Sequence, residues 1–444
     1  MQRDLLTGLY ESVAELPILS PHGHVDIGVF ADGARLDPPG RLFVTGDHYV
    51  LRLLYSQGLA LERLGVAPLD GSPYEDDDRA VWRLLAQHFT LFAGTPTGYW
   101  LRDTLRTVFA IDERLGPETA DAIYDAVEEQ LASPAFAPRT LLERFRIECL
   151  ATTDPAEASL DRHAALADPR LRPTFRPDAA VALDAPGWNG LGADNYDAFV
   201  GALRERRTAF KALGATATDH SATSADTTAL APAEAAAIFD HALAGTVTAE
   251  QARRFEAHML HEFARMSLDD GLVMQLHLGS LRDHNTPLAL RFGRDLGGDI
   301  PVATDWTRGL RPLLELAGNE PQFGLVLYSL DESTYSRELA PLAGHYPAVS
   351  LGSPWWFHDS VGGIERFLDR VVETAGIFNL AGFVDDARSL VAIPARHAFW
   401  RRNACAWLAR QVEVGLVEAD DAPELAAQLA YGLAARAYRL QTPA

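Results

Sequence analysis

Eight short apolar runs, each ending in polar or ionisable residues, recur along this chain with amphipathic stretches between them. They are Leu16 to Ser20, Arg146 to Thr152, Arg172 to Phe175, Gly214 to Thr218, Leu272 to Leu276, Phe323 to Tyr328, Ala348 to Ser353 and Leu380 to Val384. Runs of this length bounded by turn residues suit strands buried on both faces, and the segments between them, such as Asn195 to Leu213, Ala249 to Ser267 and Gly362 to Ala375, carry helical periodicity. Strand and helix alternating eight times predicts an α/β fold, a closed parallel (β/α)8 barrel of the TIM type. The 444 residues fit one such barrel with an insertion.

The first gap, from Asp26 to about Glu143, is too long for one crossover helix. It holds helical patterns at Tyr49 to Gln57, Asp77 to Phe92, Tyr99 to Phe109 and Pro117 to Leu131, with joints such as Asp37-Pro38-Pro39-Gly40. The expected division is a barrel from 1–26 and 141–444, closed by C-terminal helices at Arg396 to Leu416 and Ala422 to Leu440. Residues 27–140 form a helical insertion subdomain over its mouth. The alanine- and threonine-rich stretch 222–249 reads as a loop followed by a helix.

A formal charge of -22 without a lysine- or arginine-rich block excludes nucleic acid as the expected partner. No run approaches the apolar length of a membrane span, and the start lacks the charged and apolar regions of a secretion signal. Two cysteines, Cys149 and Cys405, in a chain of this size suit a reducing cytoplasm.

Active sites of parallel barrels lie at the C-terminal ends of the strands, so the residues after each run are the candidates. The first run leads into Pro21-His22-Gly23-His24. Side chains two apart on a strand share a face, about 6.5 to 7 Å from each other, so both imidazoles can reach one divalent cation. Barrel closure would make the first and eighth strands neighbours. Asp386 after the eighth run then becomes a third ligand beside His22 and His24, leaving an open position on a Zn²⁺ ion. Other strand ends carry Thr152-Thr153-Asp154-Pro155, Phe175-Arg176-Pro177-Asp178, Thr218-Asp219-His220, His277-Leu278-Gly279, Ser353-Pro354-Trp355-Trp356-Phe357 and Asp385-Asp386-Ala387-Arg388.

Those motifs, together with Gly46-Asp47-His48-Tyr49 and Met274-Gln275-Leu276-His277, resemble the uronate isomerase family of the amidohydrolase superfamily over His22 to about Leu408. Gly23 stands where many relatives carry cysteine, and Asp386-Ala387-Arg388 replaces a more usual Asp-Ser-Arg. The resemblance implies interconversion of an aldohexuronate and a ketohexuronate, D-glucuronate with D-fructuronate or D-galacturonate with D-tagaturonate, by proton transfer between C2 and C1 through an enediol. It also implies a homo-oligomer acting on a small sugar acid, with one divalent metal per chain.

On that reading Asp386 and Tyr49 move protons, Arg388 faces the enediolate oxygens and Arg176 the substrate carboxylate. His48, Asp219 and His277 help open the ring and hold hydroxyls, while Trp355 and Trp356 wall the pocket. Two alternatives compete with it. One is a metal-dependent amidohydrolase acting on an amide or ester, for which the lysine and sixth-strand histidine of a binuclear centre are missing. The other is a non-catalytic barrel serving as a binding module, which would be expected to have lost a ligand.

Overall fold

The computed structural model describes residues 2–31 and 33–440. Nine strands occur among them: β1 (Ile18–Ser20), β2 (Ile147–Pro155), β3 (Leu171–Arg176), β4 (Ala217–Ala222), β5 (Val273–Leu278), β6 (Ser280–Leu281), β7 (Ile300–Pro301), β8 (Leu325–Ser329) and β9 (Val349–Leu351). Seven make one parallel sheet in the order β1-β2-β3-β4-β5-β8-β9, while β6 and β7 pair antiparallel in a separate ribbon. Neighbours in the large sheet follow one another in sequence, with helices in the crossovers, as βα units require. Their side chains read buried at nearly every position, because helices cover one face and the barrel interior the other.

The eighth expected strand is a correction. Leu380 makes a single parallel bridge to Leu351, and Ala381 to Val384 form no ladder. The wall there is instead closed by one backbone bond, in which the His24 N–H donates to Ala387 O at 2.8 Å. Gly382 holds φ +76° against the backbone of Ala434, so the segment bends where a ladder would have to run straight. The β6–β7 ribbon has no counterpart among the predicted runs, since each strand has only two residues.

Helices fall close to their predicted places, at His48–Ser56, Asp78–His88, Pro96–Thr107, Ala120–Leu131, Tyr196–Ala212, Ala249–Asp270, Val361–Ala375 and Ile393–Glu413. Their ends have local causes. Thr248 and Gln251 form a reciprocal capping box at the start of Ala249–Asp270, and Gly271 with φ +75° ends it. The stretch after Ala222 runs as loop and then as the helix Pro232–Leu243, as expected. Two apolar clusters result. One lies among the sheet, its covering helices and the C-terminal helices; the other joins residues of 27–142 to β1, β2 and the turn at Ala387–Ile393.

Candidate active site

β1 ends at Ser20, and Pro21 leads the chain into the cleft, where His22 is buried and His24 is partly open. Both Nε2 atoms converge on Asp386 Oδ1, at 3.6 Å and 3.1 Å. Asp386 sits with φ +48°, a left-handed backbone that aspartate tolerates better than most residues. The turn is fixed from behind: the Ala387 N–H donates to Asp385 Oδ1, and the other Asp385 oxygen pairs with His397 Nε2 at 3.0 Å.

Asp386 Oδ1 is buried with no well-formed hydrogen bond among the described residues, its nearest neighbours being these two imidazole nitrogens. Burial lowers His22 to about 4, so at neutral pH it is an uncharged base with a free lone pair. Two imidazole nitrogens facing one carboxylate oxygen form a donor set suited to a divalent cation. A second group, His22 with Asp219 and His277, also has ligand atoms within 4.8 Å of one another, so the metal-binding potential extends across the barrel mouth.

His277 and Asp219 lie inside their strands rather than beyond them, because β4 and β5 each continue past the apolar run. Parallel register sets Asp219 opposite Gln275 and Ser221 opposite His277. His277 Nδ1 bonds Asp219 Oδ1 at 2.7 Å, and the His277 ring stacks on Tyr328 at 4.3 Å between centroids and on His22 at 4.6 Å. Burial alone would raise the Asp219 carboxyl, but His277 and Arg176 beside it hold it well below the usual range. The Arg176 Nη1 stands 3.3 Å from Asp219, and its Nε donates to Asp178.

His48 opens the helix His48–Ser56, whose first amides donate to Asp47. Its ring packs against Trp356 and Tyr49, and burial, with Arg388 nearby, lowers it to about 3. Arg388 donates to Asp295 from the segment between β6 and β7, while its Nε is buried and unpartnered among the described residues. Trp355 meets the edge of His277, and Trp356 stacks with Phe357.

His22, His24, His48, Arg176, Asp219, His277, Trp355, Trp356, Asp386 and Arg388 all line one cleft of about 1300 Å³. Tyr49 does not line it. Its hydroxyl instead donates to Asp359 Oδ2 at 2.9 Å, and Asp359 lines a much smaller chamber of about 20 Å³ together with His22, His277 and Asp386. The sequence reading missed Asp359, Asp295, Arg396 and Tyr328. Asp359 was the most accessible of these, being two residues beyond the Trp355-Trp356-Phe357 run, whereas Asp295 lies in a long irregular loop with no pattern to mark it. The cleft lining carries nine carboxylates and five arginines, so an anion entering it needs further positive charge.

Comparison with known proteins follows the same lines. A family model described as glucuronate isomerase matches residues 1–438. A uronate isomerase of Nostoc punctiforme is 51% identical over 99% of this chain and 96% of its own. One from Rhizobium meliloti is 47% identical over 99% and 96%. The crystal structure of glucuronate isomerase from Caulobacter crescentus superposes with a TM-score of 0.96 at 44% identity, covering 100% of this chain and 95% of that one. A metal-dependent hydrolase from Lactobacillus casei, described as putative, shares the fold at 17% identity with a TM-score of 0.59.

Proposed function

The chain belongs to the glucuronate isomerase family and is an aldose–ketose isomerase of hexuronates, and we propose that the cleft around His22, His24 and Asp386 performs the reaction. The observation that carries this assignment is the convergence of two imidazoles on the unpartnered Asp386 oxygen, with Arg388 on the same turn facing the same cleft.

In this reading His22, His24 and Asp386 would hold a divalent cation, Zn²⁺ being the natural fit to two nitrogens and one carboxylate. Bound there, the cation would supply positive charge that the acidic lining lacks for an anionic substrate. Arg176, already held in place by Asp178, offers a second cation to the carboxylate. Asp219 orients His277 through a 2.7 Å bond, leaving His277 Nε2 free to hold a hydroxyl as the ring opens, with His48 on the opposite side.

With C1 an open aldehyde, Asp386 removes the C2 proton, and the C–H electrons form the C1=C2 bond of an enediolate. Arg388, with its free Nε, faces the developing oxygen charge. Returning the proton to C1 while the O2 proton passes to O1 completes the ketose, and Tyr49, packed directly behind the lining residues His48 and Trp356, is the residue assigned to the oxygen-to-oxygen transfer, which requires the bound sugar to reach its hydroxyl. Trp355 and Trp356 present apolar walls that exclude water from the intermediate.

The segment 27–140 we take as a helical subdomain over the mouth, since it delivers His48 and Tyr49 to the site from outside the barrel. Two buried thiols, each raised to about 12 by burial, suit a reducing cytoplasmic compartment, and we take the chain as a homo-oligomer acting on free sugar acids. No helix among the described residues is long and apolar enough to cross a membrane. Neither amide nor ester hydrolysis is favoured: β4 contains no lysine, and β8 presents Tyr328 where a second metal would need histidine.

Ketose formation from D-glucuronate and D-galacturonate by metal-analysed protein tests the reading. Turnover should fall on the order of 10³-fold in Asp386→Asn, which loses both a ligand and a base. Absence of ketose from either sugar with one metal per chain would sink it.

A further inference from the structure

We propose that Asp359 is a positioning residue of this isomerisation, holding the Tyr49 hydroxyl and storing the proton that Tyr49 carries between the two sugar oxygens. The proposal rests on the role assigned to Tyr49 above and adds where that proton goes. Tyr49 is enclosed by His48, Trp356 and Trp100, and its hydroxyl has one partner, Asp359 Oδ2, at 2.9 Å. A phenol whose proton is already given to a carboxylate presents only lone pairs to a substrate. It becomes a donor toward the sugar once the carboxyl is protonated and donates to the phenol oxygen instead.

The balanced cycle has two halves. With the Asp359 carboxyl protonated at the outset, the C2–H proton leaves to Asp386 as the Tyr49 proton passes to O1 and the Asp359 proton passes to Tyr49, which gives the enediol. As C1 is reprotonated, the O2 proton passes to Tyr49 and the Tyr49 proton returns to Asp359. No bond other than O–H forms or breaks in this relay, and both side chains end as they began.

Three observations separate this from ordinary structural roles. Asp359 does not cap the helix Val361–Ala375, because Ser360 does so by accepting from the Gly363 N–H. Its ion pair with Arg396 is long, and that guanidinium is shared with other partners. Arg396 Nη1 comes only within 3.9 Å, donates instead to Asp385 O, and the guanidinium stacks on Trp100 at 3.9 Å. Its second oxygen, Oδ1, is buried and has no partner among the described residues, an arrangement that costs stability in a purely structural carboxylate. The chamber it lines also touches His22, His277 and Asp386.

The charged and titratable groups around it are Tyr49 from the insertion, Arg396 from the helix Ile393–Glu413, Asp386 from the closing turn and Tyr335 before the helix Val361–Ala375. Burial outweighs Arg396 and the Tyr49 bond, pushing the Asp359 carboxyl up to about 6, where it can gain and lose a proton near neutrality.

The experiment is a double-mutant cycle on the metal-loaded enzyme, with kcat and KM for D-glucuronate measured in the unaltered chain, Asp359→Asn, Tyr49→Phe and the double variant. Turnover by the unaltered chain tests the reaction itself, so failure there is distinct from failure of the role given to Asp359. We expect kcat to fall on the order of 10²-fold in Asp359→Asn with KM within threefold, and no further loss when the change is added to Tyr49→Phe. Asp359→Glu should recover part of the rate. Losses that multiply in the double variant, or a rise in KM at unchanged kcat, overturn the proposal. Should the asparagine variant not fold, Asp359→Glu takes its place in the cycle. A solvent isotope effect on kcat that changes in Asp359→Glu but not when Tyr49→Phe is already present supports the relay, and an unchanged effect overturns it.

Discussion

At the scale of single residues, two glycines show how tightly the site is built. Gly352 follows β9, and a methyl group there would lie 2.1 Å from Cε1 of Tyr328, the ring that stacks on His277. Gly352→Ala must therefore push the tyrosine into the histidine. We expect a stability loss of about 1–3 kcal/mol together with at least a tenfold fall in kcat/KM, read by urea denaturation and the ketose assay. Gly23, between His22 and His24, is different. A methyl there would meet Ala387 O at 3.4 Å and Ser20 Oγ at 3.6 Å, ordinary contact distances, and its φ is not positive. Gly23→Ala should cost less than about 1 kcal/mol and leave metal content unchanged, read by urea denaturation and metal analysis. Individual side chains were legible in the sequence where they followed an apolar run: His22, His24, Asp219, His277, Trp355, Trp356 and Arg388 all reach the cleft. Tyr49 was found by its motif, but the direction of its hydroxyl depends on Asp359, which is 310 residues away.

At the scale of elements, the long helix Ala249–Asp270 carries a pH-sensitive joint away from the site. His258 Nδ1 accepts from the Leu230 N–H at 3.1 Å, so Nε2 bears the proton and donates to the Tyr196 hydroxyl at 2.7 Å. Protonating Nδ1 would break the first bond. Burial lowers His258 to about 4, against 6.5 when unfolded. Between those values the unfolded chain binds the extra proton and the folded one does not, so this contribution is present above pH 6.5 and is lost as the pH falls toward 4. Its ceiling is about 3 kcal/mol, from 1.36 kcal/mol per unit. His258→Phe should be less stable than the unaltered chain at pH 7.5, and the gap should narrow at pH 5 in urea titrations. An equal gap at both values would mean that His258 does not drive the acid limb. Helices such as this one were readable from periodicity and caps. The missing eighth strand was not, because Leu380 to Val384 is as apolar as a strand and only the approach of Gly382 to Ala434 bends it out of register.

At the scale of the whole molecule, the net charge of -22 opposes the approach of an anionic sugar, and the cleft lining adds four more carboxylates than arginines. Raising the salt from about 10 to about 150 mM shortens the screening length to roughly 8 Å, so kcat/KM for D-glucuronate should rise about twofold or more while kcat changes little. A fall would mean that the local cations, not the overall field, govern capture. The first seven strands of the wall, the helix positions, the His-x-His pair and its distant aspartate follow from the sequence alone, because each depends on periodicity or on residue type at a strand end. Only the tertiary structure decided how the wall closes, that Asp295 engages Arg388, and that Tyr49 faces Asp359. Those are contacts between segments far apart in the chain, where packing and burial choose the partner and no local pattern records the choice.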